Sequence, residues 1–325
     1  MVITFFNLDV LEEKYIKKKF KNYKLNFFEY SANKIDVSEY KDSDVICICP
    51  KSNLNSTILA KCTKLKYIVS RSTGVDHIDI KYCKENNIEI KNVKHYGSIS
   101  VAEYQFALLL NLTRKINLVQ NTVKDKGFIK EGLQGIDLFG KTIGIIGYGD
   151  IGKKVAKIAN VFGMNVLVNT RTKIKNLDIL DQIKYVSLNE LYEQSDVISI
   201  NVPYNEDTHY LINEKAFEKM KRDVIIINTA RGKIIDTNSL ITAISNNKIK
   251  AVALDVIEGE KYIKGDFDDI SEGQKNMIKS NLQKLLSFDN VIISPHNAYN
   301  SVESIQRIFN ETVKCIEEII NIQQK

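Results

Sequence analysis

Short apolar runs and amphipathic stretches alternate along this chain. The runs have the two-residue or fully apolar pattern of strands, and the stretches carry apolar residues three and four positions apart, as helices do. In the first third, strands are expected at Val2 to Phe6, Leu25 to Tyr30, Val45 to Cys49, Tyr67 to Ser70 and Ile88 to Val93, with helices such as Val10 to Phe20 and Asp79 to Asn86 between them. A second block runs from Lys141 to Pro295. Its strands are expected at Ile143 to Ile146, Val166 to Asn169, Asp196 to Val202, Val224 to Asn228, Ala251 to Asp255 and Val291 to Ser294. Strands alternating with helices predict βαβ units and parallel sheets covered on both faces. The expected class is therefore α/β, with two doubly wound parallel-sheet domains.

Three other segments carry information. Residues 100 to 124 predict the longest helix, apolar nearly all round over Tyr104 to Leu112, so it must be covered on several sides. A domain boundary, a subunit interface or a core would each satisfy that demand. Ser301 to Ile320 predicts a last amphipathic helix that could cross back to the first domain. Residues 258 to 275 are polar, contain glycine and read as a loop.

The strongest local signal is Gly147-Tyr148-Gly149-Asp150-Ile151-Gly152, a G-x-G-x-x-G between the strand Ile143 to Ile146 and a helix pattern through Val155, Ala156, Ile158 and Ala159. Gly147 permits a tight turn, Gly149 lets backbone approach a pyrophosphate, and Gly152 lets helix and strand pack closely. The amides opening the helix then face phosphate with the positive end of the helix dipole. Dinucleotide binding follows from that context.

Composition narrows the class. A length of 325 residues suits two domains, and 44% hydrophobic with 26% charged residues describes a soluble globular protein. No window reaches the apolar length of a membrane span, and Met1 to Phe20 lacks the order of a signal peptide. The net charge of +6 is scattered among Asp, Glu and Asn rather than gathered on one segment, so no nucleic acid or membrane partner is expected. Five cysteines (Cys47, Cys49, Cys62, Cys83, Cys315) form no C-x-x-C, which suggests a reduced, cytoplasmic protein without a metal site.

Candidate chemistry sits at the strand ends of the second block. Arg231, in Asn228-Thr229-Ala230-Arg231-Gly232, could grip a carboxylate with two parallel hydrogen bonds. His296, in Ser294-Pro295-His296, is placed to exchange a proton near neutral pH, whereas His77, His95 and His209 stand in less telling settings. A carboxylate against His296 would hold its tautomer and favour its protonated form. From spacing alone Asp255, Glu258 and Glu260 remain alternatives for that partner.

Over nearly its whole length the chain resembles the D-2-hydroxyacid dehydrogenases. The matching signatures are Ser72-Thr73-Gly74-Val75-Asp76, the G-x-G-x-x-G unit, Val202-Pro203, Asn228 to Gly232, Ala253-Leu254-Asp255 with Glu260 beyond it, and Pro295-His296. The resemblance implies a flavodoxin-like substrate domain (1–98 plus 299–325) and a Rossmann NAD(P)-binding domain (99–298). It implies that Arg231 binds a substrate carboxylate, His296 donates the proton and Glu260 partners His296. It places Thr73, Gly74 and Val75 at the substrate. It also implies cofactor contacts from the glycine unit with Tyr148, Asp150 and Ile151, and from Val202, Pro203, Thr208, Thr229, Ala230, Arg231 and Asp255. A homodimer through the helix 100–124 is the family's usual arrangement.

Glu258-Gly259-Glu260 and the long connection to His296 look most like the D-lactate branch, which includes the D-lactate dehydrogenases of vancomycin resistance. Tyr96 matches a tyrosine which that branch places near substrate. The branch's Tyr-Ser-Pro-Asn is Tyr96-Gly97-Ser98-Ile99 here, and Asn300 replaces the second of an aromatic pair. The expected reaction is pyruvate to D-lactate; alternatives are hydroxypyruvate or glyoxylate reduction, and cofactor-sensing as in transcriptional corepressors. NADP(H) is favoured over NAD(H). The strand Val166 to Asn169 ends in Thr170-Arg171-Thr172-Lys173, with Lys175 beyond, and has no acidic residue to accept ribose hydroxyls or repel a 2′-phosphate.

Overall fold

A computed structural model describes residues 1–171, 183–265 and 270–324. The chain divides into two compact units, Met1–Tyr96 with Ser301–Lys325, and Gly97–Asn300.

The first unit holds β1 (Val2–Phe6), β2 (Lys24–Phe28), β3 (Val45–Ile48), β4 (Tyr67–Ser70) and β5 (Glu89–Asn92), all parallel, in the order β2-β1-β3-β4-β5. That is the flavodoxin-like order. Every residue of β3 and β4 is buried, as expected of strands covered on both faces. Phe6, Ile46, Ile48 and Ile68 feed one layer, and Ile3, Phe5, Val45, Cys47 and Val69 feed the other. The helix Val302–Gln323 closes the second layer with Ile316 and Ile319, so the end of the chain completes the first unit. The helix Val10–Lys19 begins in a capping box, with Asp9 accepting from its first turn and Glu12 reaching back to the Asp9 amide.

The second unit holds β6 (Thr142–Ile146), β7 (Asn165–Asn169), β8 (Ile183–Tyr185), β9 (Val197–Ile200), β10 (Val224–Asn228), β11 (Ile249–Leu254) and β12 (Val291–Ile293). Their order is β12-β11-β10-β9-β6-β7-β8, again all parallel. The strand order reverses between β6 and β9, and in such sheets ligands bind outside the strands' carboxyl ends at that point. Ile145, Ile225, Ile227 and Ala253 face one layer, while Ile146, Ile226, Val252 and Leu254 face the other.

The structure departs from the sequence pattern in three places. β8 is a seventh strand, three residues long and at the sheet edge, too short to show a period. The expected single helix over 100–124 is two, Ser98–Arg114 and Ile116–Lys126, because Lys115 takes a left-handed φ of 54°. The first part, which holds the whole apolar stretch Tyr104 to Leu112, packs Ala102, Phe106 and Leu109 into its own unit's core, and the second part buries nothing. Among the described residues the longest helix is instead Val302–Gln323. Finally, 258–275 is not simply a loop. It contains the helical turn Glu260–Ile263 and the start of the helix Glu272–Leu286, whose only buried residue is Leu285, which is why its sequence reads as polar. No described helix is long and apolar enough to cross a membrane. Among the described residues no three His, Cys, Asp or Glu side chains gather as a metal site.

Candidate active site

At the end of β6 the chain turns at Gly147 with φ +93°, and a Cβ there would lie 2.6 Å from the Asn201 carbonyl oxygen. Only glycine fits both constraints. At Gly149 a Cβ would meet nothing within 4 Å, so the backbone borders open space. Gly149 also opens the helix Asp150–Val161 with no side-chain cap, which leaves first-turn amides to face an anion. Gly152 lies against the Gly147 carbonyl, where a Cβ would fall 2.1 Å from oxygen. The cradle therefore fits the pyrophosphate of a dinucleotide.

The neighbouring residues divide by exposure. Tyr148 turns its ring into the core, edge-on to Tyr185 at 6.2 Å, and burial raises its phenol above the ordinary value. Its backbone, not its ring, is what a ligand could meet. Ile151 also packs on the core. At the tip of β7, Thr170 is half-buried and Arg171 is exposed, 3.6 Å from Asp207. Lys173 and Lys175 lie outside the described residues. Beyond β9, Val202 packs on the core and Pro203 is exposed. Thr208 closes that loop, donating to the Pro203 carbonyl at 2.8 Å and accepting from the Asn205 amide at 2.8 Å.

Arg231 follows β10 on a turn clamped by Asn228, whose side chain donates to the Arg231 carbonyl and accepts from the Ala230 amide, both at 3.0 Å. The guanidinium Nη1 donates to the Ala230 carbonyl at 2.8 Å. Thr229, in the same turn, is buried.

His296 stands just past β12 with a left-handed φ of 58°. Its Nδ1 lies 2.7 Å from Glu260 Oε1. Burial pushes the Glu260 carboxyl up, but the hydrogen bond and charge of His296 pull it down further, leaving it below the usual carboxylate value. Glu258 is engaged elsewhere, accepting from Tyr210 at 2.6 Å and Thr237 at 3.2 Å. Asp255 is wholly buried, and its carboxylate accepts from Ser294 (2.5 Å), the Asn297 amide (2.7 Å) and the Ala298 amide (2.8 Å). Its carbonyl accepts from the His296 amide at 2.8 Å. Of the three acids, Glu260 therefore meets the imidazole, and Asp255 clasps the backbone that carries it. The resemblance assigned Asp255 to the cofactor, but its carboxylate here faces the 294–298 loop. Tyr299 lies edge-on to His296, with ring centres 6.4 Å apart.

In the first unit, Ser72 to Val75 follow β4. Asn92 Nδ2 donates to the Thr73 carbonyl and Ser72 Oγ to the Gly74 carbonyl, each at 2.7 Å. The Thr73 hydroxyl donates to the Val93 carbonyl at 3.0 Å. With both carbonyls held, the amides of Gly74 and Val75 donate no hydrogen bond among the described residues. Such amides suit a carboxylate. The Tyr96 carbonyl accepts from Arg307 Nε at 2.6 Å and Ser304 Oγ at 3.2 Å, which anchors that residue's backbone. Sequence reasoning missed Ser72, Asn92 and the Asp255 clasp, since these act on backbone that no motif reveals. It also missed Gln105, a lone amide in an otherwise apolar helix face, which that isolation could have flagged.

Residues 106–298 match the family model described as D-isomer specific 2-hydroxyacid dehydrogenase, NAD binding domain. A 2-hydroxyacid dehydrogenase homolog of Haemophilus influenzae is 33% identical, over 98% of this chain and 96% of its own. A hydroxypyruvate reductase of Thermotoga maritima is 35% identical, over 86% of this chain and 85% of its own. The solved D-lactate dehydrogenase of Aquifex aeolicus, complexed with NAD and lactic acid, superposes with a TM-score of 0.88 at 35% identity, covering 98% of this chain and 95% of that one. With a dinucleotide cradle and a carboxylate-paired histidine at the strand ends, the chain belongs to the D-isomer specific 2-hydroxyacid dehydrogenase family, an oxidoreductase family with a nicotinamide-dinucleotide domain.

Proposed function

We propose that this protein reduces pyruvate, or a slightly larger 2-keto acid, to the D-2-hydroxy acid. The observation that carries the reading is the contact between His296 Nδ1 and Glu260 Oε1 at 2.7 Å, which leaves Nε2 of the ring as the proton-bearing atom for a substrate. A bound reduced nicotinamide supplies the hydride to the carbonyl carbon. His296 gives its proton to the carbonyl oxygen, and Glu260 stabilises the imidazolium before that transfer. Arg231 holds the substrate carboxylate through a planar two-point grip and so fixes the carbonyl for attack. The amides of Gly74 and Val75 are proposed as donors to a carboxylate in their own right, and Met1–Tyr96 with Ser301–Lys325 as the substrate domain.

The preferred cofactor in this reading is NADPH. Thr170 and Arg171 stand at the β7 tip without a carboxylate of that strand's own. Arg171 faces Asp207, but both side chains are about four-fifths exposed, so the pair is weak and can yield to a 2′-phosphate. Turnover of pyruvate, 2-ketobutyrate, hydroxypyruvate and glyoxylate with NADPH and NADH, with the product's handedness determined, tests the proposal. D-Lactate from pyruvate is expected. Tight cofactor binding without turnover of any of these acids would favour a cofactor-sensing protein instead.

A further inference from the structure

Four polar side chains lie together inside the second unit, from the helix Ser98–Arg114 and the ends of β9 and β10. Gln105 is 1% exposed, Ser199 is fully buried, and Thr229 is 8% exposed. Three of them close a ring. Gln105 Nε2 donates to Asn201 Oδ1 at 2.8 Å, Asn201 Nδ2 donates to Ser199 Oγ at 2.8 Å, and Ser199 Oγ donates to Gln105 Oε1 at 2.5 Å. The second Nε2 proton of Gln105 goes to Thr229 Oγ1 at 2.8 Å.

The direction of these bonds is determined by counting. A buried amide has two protons to place and loses stability for each left without an acceptor. In the arrangement above both Nε2 protons have acceptors. Turning the Gln105 amide over would set Nε2 against Ser199 alone and strand one proton in the interior. Thr229 Oγ1 must therefore accept from Gln105, and its own proton points elsewhere. Among the described residues that proton has no acceptor. The Thr229 hydroxyl, on a residue 8% exposed and with no acceptor for its proton among the described residues, stands in the turn that follows β10, at the carboxyl edge of the sheet.

We infer that Gln105 is a positioning residue that fixes the Thr229 hydroxyl as a donor to the carboxamide oxygen of the nicotinamide. The inference rests on the cofactor reading above. It goes beyond that reading by assigning a side-chain donor and the buried amide that sets its polarity. Orienting the carboxamide fixes which ring face offers hydride, so Gln105 would influence transfer without touching the cofactor.

A double-mutant cycle tests this, using Gln105→Leu, Thr229→Val and the pair. The readouts are Kd for NADPH by fluorescence, Kd for 2′-phospho-ADP-ribose as a probe without nicotinamide, and thermal melting. Thr229→Val should weaken NADPH by about 3- to 10-fold, the worth of one hydrogen bond. Gln105→Leu should cause most of the same loss, the double variant no more, and the probe should bind all four proteins alike. Thr229→Ser should restore wild-type affinity. Wild-type affinity in Thr229→Val, additive losses, or equal losses for the probe would each overturn the assignment. A wild type that binds the probe as tightly as NADPH would instead overturn the nicotinamide reading beneath it.

Discussion

The carboxyl ends of the two parallel sheets present their polar groups differently. In the second unit the polar side chains themselves stand ready, with His296 on Glu260 and Arg231 on a turn locked by Asn228. In the first unit Ser72 and Asn92 tie up carbonyls, and the Gly74 and Val75 amides have no partner among the described residues. One sheet end offers side-chain chemistry; the other offers backbone. Side-chain sites fail when one residue changes, whereas a backbone site survives most substitutions and weakens when its supports are cut.

Mutations can break that contrast. His296→Ala should show the largest effect, reducing keto-acid turnover by roughly 10²- to 10⁴-fold while cofactor affinity is kept. Near-normal turnover would remove His296 from proton transfer. Next comes the β7 tip, where Arg171→Ala should reduce kcat/KM for NADPH by about 3- to 10-fold and leave NADH unchanged, an exposed charge being worth less than a buried one. Equal effects on the two cofactors would show that Arg171 does not meet the 2′-phosphate. The smallest effect belongs to the first unit. Ser72→Ala should raise KM for the keto acid by about 5-fold through loss of one hydrogen bond, with kcat and melting temperature nearly unchanged. A fall in kcat with constant KM would show that the loop does more than hold the carboxylate.

The same contrast explains what the sequence could reveal. Parallel strands buried on both faces give continuous apolar runs, so nearly all of both sheets could be read from the chain. β8 escaped because the exposed Lys184 between Ile183 and Tyr185 leaves no apolar run to read. The break at Lys115 escaped because left-handed backbone at a lysine leaves no compositional mark. Arg231 and His296 could be picked out because each stands just past the end of an apolar strand. The partner of His296 could not be chosen from spacing, since Asp255, Glu258 and Glu260 lie within six residues and only folding sends Glu258 to Tyr210 and Asp255 to the 294–298 backbone. Backbone donors leave no residue-type signature. The Gly74 and Val75 amides were expected at a substrate only through resemblance.

If Glu260 acts through His296, the pH dependence of pyruvate reduction will carry its mark. Burial opposes ionisation of Glu260, but the hydrogen bond and charge of His296 outweigh it and lower the carboxyl from its ordinary value. In general an anionic carboxylate hydrogen-bonded to an imidazole favours the imidazolium, the form that reduction requires. In Glu260→Gln that support is lost, and kcat/KM for reduction should begin to fall at a lower pH than in the wild type, with cofactor affinity preserved. Superimposable pH profiles for the two enzymes would show that Glu260 does not act through His296.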